Sequence, residues 1–275
     1  MKILLKFCLF LIVLIANNGY SQNYKVLYKL TYKTDSTDDK MLTKNMLLEI
    51  NKDLSSFYSY DFYKEDSIYQ ENLKLGKEVY QPIFDCNFSL VKNNDKSTIS
   101  KYYSFPPNNI IYKLDEVKSN FNWEILNETK KINNYTCQKA KLKYKGRNWI
   151  AWFTKEIPLN FGPYVFDELP GAILYMEDSK KNYIFEFVSL QKSSSSNINF
   201  SNAFDIINVS KKEFIKINLD RYNDPYKEMR NDGALIENSS GELDKPNINQ
   251  MTKIKQKFIK SHNNPIELSE AIKYP

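Results

Sequence analysis

The feature that most constrains this chain is an alternation of period two, first seen in Tyr24-Lys-Val-Leu-Tyr-Lys-Leu-Thr-Tyr32. Tyr24, Val26, Tyr28, Leu30 and Tyr32 share one side and the lysines take the other, the signature of a half-buried strand. Comparable runs cover 45–51, 55–62, 78–84, 98–105, 110–114, 121–126, 138–144 and 148–153. Turn-forming clusters such as Asp35-Ser-Thr-Asp-Asp39, Lys92-Asn-Asn-Asp-Lys96 and Asn133-Asn134 separate them. These breaks are too closely spaced for helical crossovers, so the runs predict an antiparallel meander. The 20 Tyr and 17 Phe set against only 7 Gly suit pleated, half-buried surfaces.

Two later runs, 173–177 and 183–190, are apolar on both faces and so require cover on each side. A source of cover is Ile248, Met251, Ile254 and Phe258, which recur at spacings of three, three and four among lysines and predict an amphipathic helix. A shorter helix is expected over 225–230. The fold class expected is mainly β with C-terminal helices: a curved antiparallel sheet or partly open barrel covered by helical elements, in one domain over 22–275.

Residues 1–21 have the form of a secretory signal. Lys2 and Lys6 precede an apolar stretch over 7–16, and Gly19 and Ser21 supply small residues before a cut at Gln22. The stretch falls short of the roughly 20 residues that span a bilayer. Cys8 lies inside it, not after it, which argues against a lipid anchor. Export to the periplasm, the outer membrane or the medium is therefore expected, with no transmembrane segment in the mature chain. The net charge of +6, less Lys2 and Lys6, becomes +4, and its lysines are scattered among acids. Nucleic acid is not an expected partner. Cys86 and Cys137 survive processing, either as a disulfide or as two small core thiols.

The sequence offers little for catalysis. His262 is the one histidine, which leaves a Ser-His-Asp or Cys-His set dependent on the tail and excludes a four-ligand structural zinc set. The glycines are isolated, so no phosphate-cradling loop is present. Asp38-Asp39, Asp115-Glu116 and Glu177-Asp178 are adjacent pairs whose side chains diverge on a strand. No catalytic residue, metal or cofactor is expected, and only acid-base work by carboxylates distant in sequence stays open.

The segment 147–171 carries the most information. Alternation puts Arg147, Trp149, Ala151 and Phe153 on one face, and Ile150 and Trp152 on the other. Both indoles are core residues in one reading. In the other, one face walls an apolar groove, Arg147 or Lys155 meets an anionic head group, and the loop 161–170 forms the rim. The binding candidates are then Arg147, Trp149, Trp152, Phe161, Tyr164, Phe166, Pro170 and Gly171. Pro158, Pro163 and Pro170 with Gly162 and Gly171 define a rigid loop, either a folding device or a platform for a partner.

The blocks Asn134-Tyr-Thr-Cys-Gln-Lys-Ala140, Lys145-Gly-Arg-Asn-Trp-Ile-Ala-Trp-Phe-Thr-Lys-Glu-Ile-Pro158, Phe161-Gly-Pro163 and Glu168-Leu-Pro-Gly-Ala-Ile-Leu174 resemble the GLPGLI family in order and spacing. Met46-Leu-Leu-Glu-Ile50 with Ser56-Phe57 is similar to its early strands, and Asn264-Pro-Ile-Glu-Leu268 to its usual ending. Glu168 stands where that family usually has glycine, and Ala172 where it usually has leucine. The resemblance implies an exported, β-rich Bacteroidota protein found near outer-membrane transport systems, with no established reaction. The expected function is non-enzymatic binding of an apolar ligand or an outer-membrane partner. The alternatives are an interaction protein using the 161–170 loop, or a hydrolase relying on carboxylates alone.

Overall fold

A computed structural model describes residues 23–80, 82–83, 88–93, 95–105, 110–193, 204–233, 235–237, 241 and 243–275. The expected signal segment and Cys86 lie outside the described residues. Twelve strands form one sheet, and two antiparallel meanders account for eleven of them. The first runs through β1 (Asn23–Tyr32), β2 (Leu42–Ile50), β3 (Leu54–Ser59), β4 (Leu90–Asn93), β5 (Thr98–Ser104) and β6 (Ile110–Val117). The second runs through β7 (Glu124–Ile132), β8 (Tyr135–Tyr144), β9 (Arg147–Thr154), β10 (Ala172–Asp178) and β11 (Tyr183–Ser193). Strand β11 pairs antiparallel with β1 and joins the meanders, and β12 (Asp205–Asn208) adds parallel to β6. The spatial order is β12-β6-β5-β4-β3-β2-β1-β11-β10-β9-β8-β7, an open sheet with β12 and β7 at its edges.

The sheet is rolled, and one ion pair shows by how much. Lys145, in the β8–β9 turn, reaches Glu116 of β6 at 2.8 Å. Those elements stand eight to nine positions apart in the strand order. In a flat sheet they would be separated by about 40 Å at ~4.8 Å per strand. The concave face that results carries the alternate residues Val26, Tyr28, Leu30 and Tyr32 of β1 and their neighbours Met46, Leu48, Phe57, Trp149 and Phe185, all buried. The tight β8–β9 turn uses Lys145 at φ 41 and Gly146 at φ 84, the left-handed pair that matches strand twist in a two-residue hairpin.

The expected rim turns out to be a plug. Phe161, Tyr164, Val165, Phe166 and Leu169 are 0–4% exposed and fill the concavity. The Phe166 ring lies 4.8 Å from Trp149, 5.6 Å from Tyr144 and 5.8 Å from Phe121. A rolled sheet this wide presents more apolar surface than its own side chains can cover, and the loop makes up the difference. Glycine is required where the loop meets the sheet. A Cβ on Gly171, at φ 142, would stand 2.0 Å from the Thr154 carbonyl oxygen, and one on Gly162 would stand 2.5 Å from that of Phe166.

On the convex side, helix α1 (Tyr60–Lys74) packs on β2 and β3 through Phe62, which joins Leu47, Tyr58, Tyr102 and Ile111 in a second, smaller core. The strand expected over 55–62 therefore ends at Ser59, and α1 follows directly. Its sequence conceals it, since Phe62 is its single buried residue while Ile68 and Leu73 face solvent. Of the run 78–84, residues 78–80 and 82–83 are not strand, and the others lie outside the described residues. Helix α2 (Lys211–Asn223) opens with a Ser210–Glu213 capping box and sets Phe214 against Tyr103 beside β6. A short α3 (Lys227–Asn231) and the longer α4 (Ile248–Ser261) follow. Among the described residues no helix is long and apolar enough to cross a membrane.

Replacing Phe166 with Ala should remove the centre of the plug and cost about 3–5 kcal/mol. Urea denaturation followed by tryptophan fluorescence checks this, and an unchanged midpoint would contradict the plug's role.

Candidate functional site

Three ionic pins hold the plug and the tail inside the rolled sheet. Lys92 of β4 is buried with its ammonium 3.1 Å from Asp167. Burial draws its pKa below the ordinary lysine value, and Asp167 offsets only part of that. Lys118, beyond β6, also meets Asp167 at 3.1 Å and Glu168 at 3.4 Å. The Trp123 indole N–H donates to the Asp167 carbonyl at 2.9 Å, and the Phe121 N–H donates to Glu168 at the same distance.

A second pin is built around Glu267 in the tail. Lys101 of β5 contacts its two oxygens at 2.5 and 2.6 Å, Lys145 donates at 2.9 Å, and the buried Tyr164 hydroxyl donates at 3.0 Å. Both lysines also contact Glu116, at 2.9 and 2.8 Å. Burial alone would raise the Glu116 pKa, but the two ammonium groups more than offset it and hold the carboxyl below its usual range.

The third pin is Arg147. Its guanidinium donates to Asp178 at 3.1 Å, to the Asn264 side chain at 2.6 Å and to the carbonyls of Pro265 and Ile266 at 2.7 and 3.0 Å. It also lies 4.7 Å from the centre of the Tyr183 ring, whose hydroxyl donates to the Asn264 carbonyl at 2.5 Å. Two backbone carbonyls, one amide and one carboxylate engage four of the five N–H donors of the planar fork, a role lysine, with three donors, could not fill. The tail segment Asn264-Pro-Ile-Glu267 is thus part of the core wall.

The expected groove residues are brought together, but as interior. Arg147, 4% exposed, commits four of its five N–H donors to Asp178 and the tail and is buried away from any head group. Trp149, 1% exposed, packs on Phe166, and among the described residues its indole N–H finds no acceptor. Phe161, Tyr164 and Phe166 are plug residues, Gly171 is buried beneath the Thr154 carbonyl, and of the loop's binding candidates Pro170 alone faces solvent. Cys137 is a buried free thiol, pushed by burial up to about 11.

Alternation sends Trp152 to the opposite face, as expected. There it is half-buried beside Tyr175 of β10, its cross-strand neighbour. The Lys130 ammonium sits 4.2 Å from the centre of the Trp152 ring and 4.8 Å from that of Tyr175, with Lys139 at 5.7 Å from Trp152. Glu177 and Glu128 flank the group through the Tyr175 hydroxyl and Lys139. The helices lie elsewhere, α1 on β2 and β3 and α2 against β6. Alternation separates Trp152 from Trp149 in the sequence, but which of the two faces outward is decided by the tertiary structure. The pairing of Trp152 with Tyr175 depends on the β9–β10 register, which shifts at 173–175.

The family model described as the N-glycanase peptide N-terminal domain matches residues 70–212, just over half of the chain. The chain belongs to this family. Among solved structures it is similar to PNGF-II in a C2 crystal form, with TM-score 0.50 and 16% identity, covering 72% of this chain and 32% of that one. A P21 form of PNGF-II gives TM-score 0.47 and 17% identity over 72% of this chain and 33% of that one. A DUF1329 family protein from Desulfovibrio piger gives TM-score 0.25 and 10% identity over 67% and 91%. The likeness to the C2 form is one of fold. The chain spans about a third of the length of the PNGF-II structures. No curated protein sequence matches it.

Two outcomes follow from the pins. Arg147→Met should destabilise the fold by about 3–5 kcal/mol, because Asp178 is left charged and buried. Urea denaturation measures this, and a loss within 0.5 kcal/mol (about the scatter of surface substitutions) would show the clamp to be dispensable. Glu116, with its folded pKa depressed, contributes stability that is present above its unfolded pKa of about 4.3 and lost as pH falls through the folded value. The stability of Glu116→Gln should accordingly vary less steeply with pH on the acid side than that of the parent chain, as read from denaturation midpoints.

Proposed function

We propose that this chain is an exported, non-catalytic binding domain of the cell envelope that meets a protein partner on the outer face of β8–β10. The observation that carries the reading is the filled concave face. The groove that an apolar ligand would need is occupied by the chain's own loop and tail, while Trp152, Tyr175 and Lys130 stand on an outer surface that the helices leave bare. Aromatic residues with flanking cations are enriched where proteins meet. The family description connects other members to an N-glycanase, which makes a glycosylated protein the partner class to test first.

Membership of the GLPGLI group belongs to the same reading. Glu168, standing where that group usually has glycine, adopts φ 70, a conformation that favours glycine, and is held there by Lys118 and the Phe121 N–H. Apolar-ligand binding, the second reading, would require the 161–170 loop or the tail to leave the concavity.

Cross-linking in intact envelopes followed by affinity capture tests the proposal. Trp152→Ala with Tyr175→Ala should lose the captured partner while still folding cooperatively, as a sigmoidal melt followed by circular dichroism would show. Retention of the same partner by the double variant would overturn the assignment of this face. A stoichiometric lipid-sized adduct in native mass spectra of the parent would favour the ligand reading instead.

A further inference from the structure

Helix α4, Ile248–Ser261, was expected to serve as a lid, yet none of its residues is buried. Its principal neighbour is α2, reached through Gln256, whose side-chain amide donates to the Tyr222 carbonyl at 3.0 Å. The half-buried positions Ile248, Thr252, Lys255, Gln256 and Ile259 mark the packed side. The free side carries Ile254 and Phe258, one turn apart and 64% and 52% exposed. Both belong to the same apolar stripe as the half-buried Met251. Lys253, Lys257 and Lys260 line that exposed side, Lys255 brings the helix to four lysines, and it contains no acid. Ile254 faces water in the folded monomer, and Phe258, though its ring centre lies 4.0 Å from that of His262, leaves half its surface in water. A helix with this arrangement matches an anionic bilayer surface, where the apolar stripe enters the head-group boundary and the lysines meet lipid phosphates.

We propose that α4 docks this protein onto anionic lipid surfaces. The opposite charge of helix and surface selects that occupant over a neutral apolar groove. The Lys255 ammonium lies 5.2 Å from the centre of the Phe258 ring, so it needs only a rotamer change to reach the head groups once Phe258 is inserted. This goes beyond partner binding on β8–β10 and does not depend on it, because α4 packs on α2 and shares no residue with the Trp152 and Tyr175 patch.

Flotation of the mature chain, from residue 22, with vesicles of phosphatidylcholine alone or with one-third phosphatidylglycerol tests the inference. Binding is expected only with phosphatidylglycerol present, and it should vanish at about 1 M salt, where charges are screened beyond about 3 Å. Lys253→Gln with Lys257→Gln should weaken partitioning by about 20–30-fold, and the matching Arg variants should restore it. Ile254→Ser with Phe258→Ser should weaken it at least about tenfold. Since these side chains are exposed, every variant should keep the parent's melting temperature. Equal affinity for neutral vesicles, no affinity for either, or unchanged binding by the variants would each overturn the proposal. So would a concentration-dependent dimer abolished by Phe258→Ser, which would assign the stripe to a second copy of the chain. The envelope capture on the Trp152 face reads out separately, so failure here leaves that proposal standing.

Discussion

The structure depends on the filling of a rolled sheet from within. Twelve strands curl until β6 and the β8–β9 turn touch through Glu116 and Lys145, and the enclosed face is dominated by Tyr, Phe, Trp and Leu side chains. A surface of that kind must be kept from water, and the chain does so with its own residues 157–171, centred on Phe166. Gly162 and Gly171 follow from that solution, since each lies where a Cβ would collide with backbone. The Leu-Pro-Gly core of the motif is explained by packing: Leu169 is buried, and Gly171 approaches Thr154 closer than any side chain allows.

Charged residues inside the roll serve the same end. Lys92, Lys101 and Arg147 would be costly to bury alone, and each is matched to acids or carbonyls from the loop or the tail. A pairing of this kind adds modest net stability but strongly disfavours other arrangements, because displacing Asp167, Glu267 or Asn264 strands a buried cation. The apolar plug supplies the driving force and the ion pairs fix its position. Glu116 and Glu267, acids brought together from distant parts of the chain, share Lys101 and Lys145, and the two ammonium groups hold the Glu116 carboxyl below its usual range, which suits an anchor better than a proton donor.

With the inside occupied, the outer surface of the roll is unevenly covered. Helix α1 protects β2 and β3, α2 lies against β6, and the outer face of β8–β10 presents Trp152 and Tyr175 under Lys130. The likeness to PNGF-II in its C2 form is one of fold.

The sequence by itself determined the strand content, the antiparallel order of neighbours, the placing of Trp149 and Trp152 on opposite faces, and the amphipathic α4, because these rest on local periodicity. Period two and a heptad-like stripe are properties of ten or so adjacent residues and need no knowledge of distant chain. It did not disclose α1, whose single buried residue Phe62 leaves almost no periodic signal, nor β4, whose four residues are too few to show one. Only the tertiary structure decided that the 161–170 loop turns inward, that Arg147 clamps a tail more than a hundred residues away, and that the stripe of α4 stays uncovered. The physical reason is that an apolar loop reads alike whether it lines a groove or fills one. The choice rests on how far the sheet rolls, which is fixed by contacts such as Lys145 with Glu116 that join residues remote in sequence.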